Sequence, residues 1–170
     1  ETAAALAWSA IEAVGNGYYL AADGSRVDWS TSVQAARSAK ASLPPEASLP
    51  ASFPTHFPIT RVQVANLTTL EAARRLVERG FRPWALNFAN GVDPGGGWLA
   101  GARAQEEVLC RSSALYATLA GDPMYAAHRQ RPQPDSPDWA ILSPYVPVFR
   151  TDAGAPLAQP WLLSIITCAA

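Results

Sequence analysis

The residues best suited to chemistry lie in one stretch: Asn87-Phe88-Ala89-Asn90, then Gly95-Gly96-Gly97, then, after seven residues, Gln105-Glu106-Glu107. Successive glycines let the backbone approach a ligand closely and present unhindered N–H groups, as loops that cradle phosphates and nucleotides do. Carboxyl groups placed beside such a loop can donate and accept protons. Each feature alone also has a bland reading. A glycine triplet can be a plain flexible turn, and acidic residues gather at helix N-termini through the macrodipole. The order of strand, Asn, glycine loop and paired carboxylates at a helix start is what sharpens the chemistry, because local geometry then brings all of them to one sheet edge.

The flanking pattern supplies the elements that must hold these groups. Val62 and Val64 alternate as a strand after Arg61, and Thr68 with Glu71 forms a capping-box signature opening a helix through TLEAARRLVERG, closed by Gly80. Arg82 to Asn90 reads as a buried strand with Trp84 to Phe88 at its core. Strand, helix and strand predict a βαβ crossover and hence an α/β fold with a parallel sheet. Residues 91–101 form a Gly/Pro-rich loop, and residues 102–121 continue as one helix with Val108, Leu109, Leu115, Tyr116 and Leu119 on its apolar stripe. In open parallel sheets ligands bind in the crevice beyond the carboxyl ends of the strands, where this motif sits.

Upstream, residues 3–14 read as a short amphipathic helix carrying Leu6, Ile11 and Val14, followed by a hairpin through Tyr18 to Leu20 and the turn Ala22 to Ser25. Prolines 44, 45, 50, 54 and 58 make the stretch from Lys40 to Pro58 an extended connector. Downstream, Trp139 to Leu142, Val146 to Phe149 and Trp161 to Thr167 read as strands, with a turn at Thr151 to Gly154 and a mobile loop at 129–138. The division expected is an accessory segment over 1–58 and a catalytic domain over 59–170. Both ends look interrupted, since the chain begins inside a helical pattern and stops in the apolar run WLLSIITCAA.

Composition narrows the classes. A chain of 170 residues, 49% of them hydrophobic, is sized for one core. A formal charge of −1 gives no general basic field for a nucleic-acid backbone, so direct DNA binding is not expected. No apolar run approaches the roughly 20 residues needed to span a bilayer. Two distant cysteines, Cys110 and Cys168, argue against a disulfide framework or a zinc site and fit a reducing, cytoplasmic setting.

The motif GGG-x7-QEE, preceded by LNFAN and followed by EEVLCRSSALY, resembles the signature of bacterial-type poly(ADP-ribose) glycohydrolases. The TTLEAARRL helix, the AILSPYVPVFR segment and the SIITCAA strand resemble that family as well. The resemblance implies a macrodomain-like, three-layer α/β/α fold with a mixed, mostly parallel sheet. It implies a substrate of poly(ADP-ribose) on modified proteins, cleaved at ribose–ribose bonds without metal or cofactor. By motif position, Glu107 matches the catalytic acid, Glu106 and Gln105 match groups that hold ribose hydroxyls and shape the site, and Asn90 matches a ribose contact. Gly95, Gly96 and Gly97 match the loop around the distal ribose and diphosphate. The family pattern continues beyond residue 170, so a further C-terminal segment is expected to complete the fold.

Adjacent helical residues point roughly 100° apart, so Glu106 and Glu107 cannot flank one bond from opposite faces as the carboxylates of ordinary glycosidases do. One carboxyl group, that of Glu107, is then expected to handle the protons. The rival reading is an ADP-ribose reader on the same fold. It has no need of a carboxylate that the ligand's own phosphates repel. Of the remaining candidates, Cys110 is expected to pack in the core, His56 and His128 to lie on the surface or in loops, and Arg150 to be solvated. Trp98 could line the site or anchor the loop on the core.

Overall fold

A computed structural model describes residues 2–48, 59–131 and 136–169. The chain opens with helix α1 (Ala3–Asn16), capped at its start by the Thr2 side chain and stopped by Gly17 in the left-handed region. The expected helix is present, but the residues it buries are Ala3, Ala7, Ala10 and Ala13, while Leu6, Ile11 and Val14 lie at its margins. Small residues let α1 approach its neighbours closely. The hairpin pairs β1 (Tyr18–Leu20) with β2 (Arg26–Asp28). Helix α2 (Ser30–Ala39) follows, burying Val33 and Ala36, and leads into a short edge strand, β3 (Ala41–Leu43). Prolines 50, 54 and 58 of the expected connector, and His56, lie outside the described residues.

Helix α3 (Thr69–Glu78) has the expected capping box: Thr68 accepts from the Glu71 N–H, and the Glu71 carboxylate accepts from the Thr68 N–H. The strand expected over Val62 and Val64 does not form. Those valines are 85% and 97% exposed and pair with no strand, so the predicted βαβ crossover is not built there. Two alternating valines carry too little apolar area to order a strand by themselves. Strand β4 (Trp84–Ala89) does form, but it is buried on one face only. Asn87 and Ala89 point into the core, whereas Trp84, Leu86 and Phe88 are 50%, 44% and 62% exposed.

The single helix expected over 102–121 is two: α4 (Gln105–Ser112) and α5 (Tyr116–Leu119). Ser113 breaks it, taking an extended conformation and bridging to Val148, while Ala114 donates to the Pro147 carbonyl. The Ser113 hydroxyl donates to the Leu109 carbonyl and accepts from the Leu115 N–H, replacing helical bonds with side-chain ones. Helix α6 (Pro123–Arg129) then starts under an Asp122 cap with Pro123 in its first turn. The two strands expected beyond it are one long, bulged strand, β5 (Ala140–Arg150), followed by β6 (Pro156–Ala169).

The main sheet has the order β3-β5-β6-β4. It is mixed, as expected, but β4 with β6 is the parallel pair, whereas β3 with β5 and β5 with β6 are antiparallel. The expectation of a mostly parallel sheet is corrected accordingly. β5 and β6 are joined by a tight turn, which only an antiparallel pair allows. Ala7, Ala10, Trp29, Val33, Leu70, Leu109, Leu115, Met124, Ile141, Phe149 and Ile165 belong to one core on one face of this sheet. The opposite face is not covered by the described residues, so they supply two of the three layers expected. Trp84, Leu86 and Phe88 stand on that face in register with Ser164, Ile166 and Cys168.

Candidate active site

β4 ends at Ala89, and Asn90 turns the chain into the loop. Its carboxamide oxygen accepts from the N–H groups of Val92 at 2.8 Å and Asp93 at 2.9 Å, closing an Asx-type turn. Gly95 and Gly96 take φ of 80° and 58°, values an L side chain rarely adopts. Space forbids a side chain as well. A Cβ on Gly95 would lie 2.8 Å from the Trp98 ring, and one on Gly96 would lie 2.6 Å from Glu107 Oε1. The glycines are therefore required by the close approach of a tryptophan and of a carboxylate, and the flexible-turn reading gives way.

Both glutamates are enclosed, Glu106 at 3% exposure and Glu107 at 8%. Glu106 Oε2 accepts from the Asn90 N–H at 2.7 Å, while Oε1 accepts from the Gly95 N–H at 3.2 Å and the Asn87 amide at 3.3 Å. It pins both ends of the turn between β4 and the glycines. Burial pushes its carboxyl above the ordinary value, the three donors pull it back, and the neighbouring Glu107 charge adds to the rise. Glu107 is placed differently. Its Oε1 accepts from the Gly97 N–H at 3.1 Å, and its buried Oε2 has no hydrogen-bond partner among the described residues.

The Gln105 carboxamide is engaged with protein. Its oxygen accepts from the Phe88 N–H at 3.0 Å, and its nitrogen donates to the Leu86 carbonyl at 2.6 Å and to the Thr69 hydroxyl at 3.2 Å. The side chain thus pairs with the free edge of β4 and ties it to the first turn of α3. A groove of about 320 Å³ opens beside it, lined by Thr68, Thr69, Arg103, Ala104, Gln105 and Val108 among others. Asn90, the three glycines, Glu106 and Glu107 therefore meet at one turn, with Asn87 beneath it and Gln105 on the adjacent edge of β4.

The residues set aside fall out in several ways. Cys110 is fully buried and its thiol is held well above its ordinary value by burial, as core packing requires. Trp98 anchors the loop: it is 2% exposed and packs on Tyr116 with ring centroids 4.8 Å apart. Arg150 is not solvated. It is buried and donates to the carbonyls of Leu6 and Arg111 and to the Ser9 hydroxyl, joining α1 to α4. His128 is likewise buried rather than on the surface, with Nδ1 2.9 Å from the Gly91 carbonyl oxygen. Asn87, which sequence spacing did not assign a role, touches both Glu106 and Thr167. An Asn at an inward-facing position of a strand was the signal for it, since a buried amide needs partners.

Comparison with known proteins gives one family and a set of solved structures. The model for the microbial-type PARG catalytic domain matches residues 7–151. The crystal structure of poly(ADP-ribose) glycohydrolase from Thermomonospora curvata is 40% identical with a TM-score of 0.91, over 99% of this chain and 64% of that one. The enzyme of the same organism bound to the inhibitor ADP-HPD is 38% identical with a TM-score of 0.88, over 99% and 62%. The Deinococcus radiodurans glycohydrolase in complex with ADP-ribose is 39% identical with a TM-score of 0.70, over 81% and 58%. The chain thus spans less than two thirds of the length of each of these structures. No curated protein matches it.

Proposed function

The chain belongs to the microbial-type PARG catalytic-domain family, and we propose that it carries the acid–base centre of a glycosidase that hydrolyses the ribose–ribose bonds of poly(ADP-ribose). The observation that carries this reading is the division between the two glutamates. Glu106 spends both oxygens on the loop, and Glu107 keeps Oε2 unmatched in an enclosed position beside Gly96 and Gly97. A buried acceptor without a protein donor is costly, and a ligand or reacting group from outside removes that cost.

In the proposed reaction the protonated Glu107 carboxyl gives its proton to the oxygen that bridges the two riboses. The bond from that oxygen to the anomeric carbon breaks with the electron pair leaving on oxygen, and oxocarbenium character develops on the sugar left behind. The Glu107 carboxylate then takes a proton from the water that attacks the anomeric carbon, which restores the acid and yields ADP-ribose and a shortened chain. Asn90 and the N–H groups of the glycine loop would orient the ribose and diphosphate. Glu106 and Gln105 act by holding that loop and the edge of β4. Proteins carrying ADP-ribose chains are the macromolecular substrates on this reading.

The bare face of the sheet bears on the expected further segment. Trp84, Leu86 and Phe88 form an apolar row there, and a further segment, such as the longer relatives have room for, would cover it. Cys168 stands beside Phe88 on the same face, on β6, and is only half-buried. Covering would slow its alkylation, and equal rates with and without additional C-terminal chain would exclude this role.

The test of function is incubation of the protein with poly(ADP-ribose) and detection of free ADP-ribose, with mono-ADP-ribosylated protein as a parallel substrate. Release of ADP-ribose from the polymer is the expected result. Binding without release would make the protein a reader and end the assignment.

A further inference from the structure

The loop that carries Asn90 and the glycines is also held from outside. Helix α6 ends against it: His128 Nδ1 lies 2.9 Å from the Gly91 carbonyl oxygen, and the Arg129 guanidinium donates to the Val92 carbonyl. A carbonyl can only accept, so Nδ1 carries the proton and the imidazole is the donor. The ring is 7% exposed and stands edge-on to Trp139, with centroids 6.5 Å apart and planes at 88°. Its Nε2 has no hydrogen-bond partner among the described residues, so the contact to Gly91 is where the polar function of this side chain is spent. There is little slack at that contact. A Cβ on Gly91 would lie 3.1 Å from His128 Nδ1 and 3.3 Å from Ser136 Oγ.

We infer that His128 is a positioning residue for the proposed hydrolysis, fixing the outer limb of the loop whose inner limb the glutamates hold. Hydrogen bonds connect the two limbs. Asn90 Oδ1 ties Val92 and Asp93, the Asp93 carbonyl accepts from the Gly96 N–H at 2.9 Å, and the Gly97 N–H donates to Glu107. Loss of the donor at Gly91 leaves a half-buried carbonyl without this partner and frees the turn to shift relative to Glu107. A misplacement of about 1 Å in a reacting constellation costs up to about a hundredfold in rate. The inference rests on the role proposed for Glu107, but the contact itself can be tested without turnover.

Three substitutions separate positioning from packing. His128→Asn keeps an amide N–H where Nδ1 stood, His128→Gln moves it one carbon further out, and His128→Ala removes it. All three lose the ring against Trp139, so any stability lost through packing is shared. The Ala and Gln variants are expected to lose about tenfold in kcat/KM on poly(ADP-ribose), while Asn recovers to within about threefold of the wild type. Hydrogen–deuterium exchange of amides 90–97 is expected to quicken in Ala and Gln and to stay near wild type in Asn. Equal behaviour of the three variants in both measurements would reduce His128 to packing and overturn the inference. If the wild type releases no ADP-ribose while exchange still follows the donor, the functional reading fails and the positioning contact stands.

Discussion

Glu106 and Glu107 occupy consecutive positions in the first turn of α4, yet the structure treats them as two kinds of residue. Glu106 meets three donors, two of them backbone N–H groups on either side of the Asn90–Gly95 turn. Glu107 meets one donor, at Gly97, and leaves its second oxygen unmatched among the described residues. The helical rotation of about 100° between neighbours sends the Glu106 carboxylate between the strand end and Gly95, and the Glu107 carboxylate toward Gly96 and Gly97. Sequence adjacency therefore produces a structural anchor and a carboxyl group with one oxygen left unmatched. A pair of equivalent acids across one bond would instead have required two separate elements.

The contrast predicts unequal losses. Glu107→Gln keeps the acceptor for Gly97 and removes the proton that the proposed reaction needs. Hydrolysis is expected to fall about a thousandfold, with ADP-ribose affinity within a few-fold of the wild type. Near-normal turnover by this variant would erase the distinction between the two residues. Gly96→Ala attacks the same carboxylate from the loop side. Its Cβ would fall 2.6 Å from Glu107 Oε1 and 3.2 Å from Glu106 Oε2, at a φ of 58°. The expected loss is about tenfold to a hundredfold in kcat, with about 1–2 kcal/mol of stability lost, read by kinetics and denaturant melts on the same preparation. Unchanged kcat would mean that Glu107 need not sit against the glycines.

What could be read beforehand follows the range of the interactions involved. The capping box at Thr68 and Glu71, the Gly95–Gly97 turn and the convergence on Gln105 to Glu107 are set within about twenty residues of chain, and the sequence displays them. Ser113 breaks its helix because β5 offers Val148 as a partner, a contact 35 residues away that no local pattern announces. Val62 and Val64 fail for the opposite reason, having the local alternation of a strand and, among the described residues, no strand paired with them. Arg150 and His128 read as surface residues because their partners, Leu6 and Gly91, are distant in sequence. Helix α6 is different: Asp122-Pro123 is a local start signal that was there to be used. The expected third layer is not supplied by the described residues, which leave Trp84, Leu86 and Phe88 exposed.

The smallest effect sharpens the role of Glu106. Its folded carboxyl sits above the ordinary value of 4.5, with burial the largest cause. A carboxyl raised on folding binds its proton more tightly in the native state. Its contribution to stability is therefore full below the unfolded value and is lost as pH rises through the folded one. Glu106→Gln removes that titration while keeping one acceptor oxygen for the loop. The melting temperature of the wild type minus that of Glu106→Gln should accordingly drift downward as pH rises from 4.5 through the raised value, and then level off. A difference that climbs with pH instead would mean that the N–H groups of Asn90 and Gly95 outweigh burial. In that case Glu106 would be an anion stabilised by the turn it holds, and its contrast with Glu107 would rest on three donors against one.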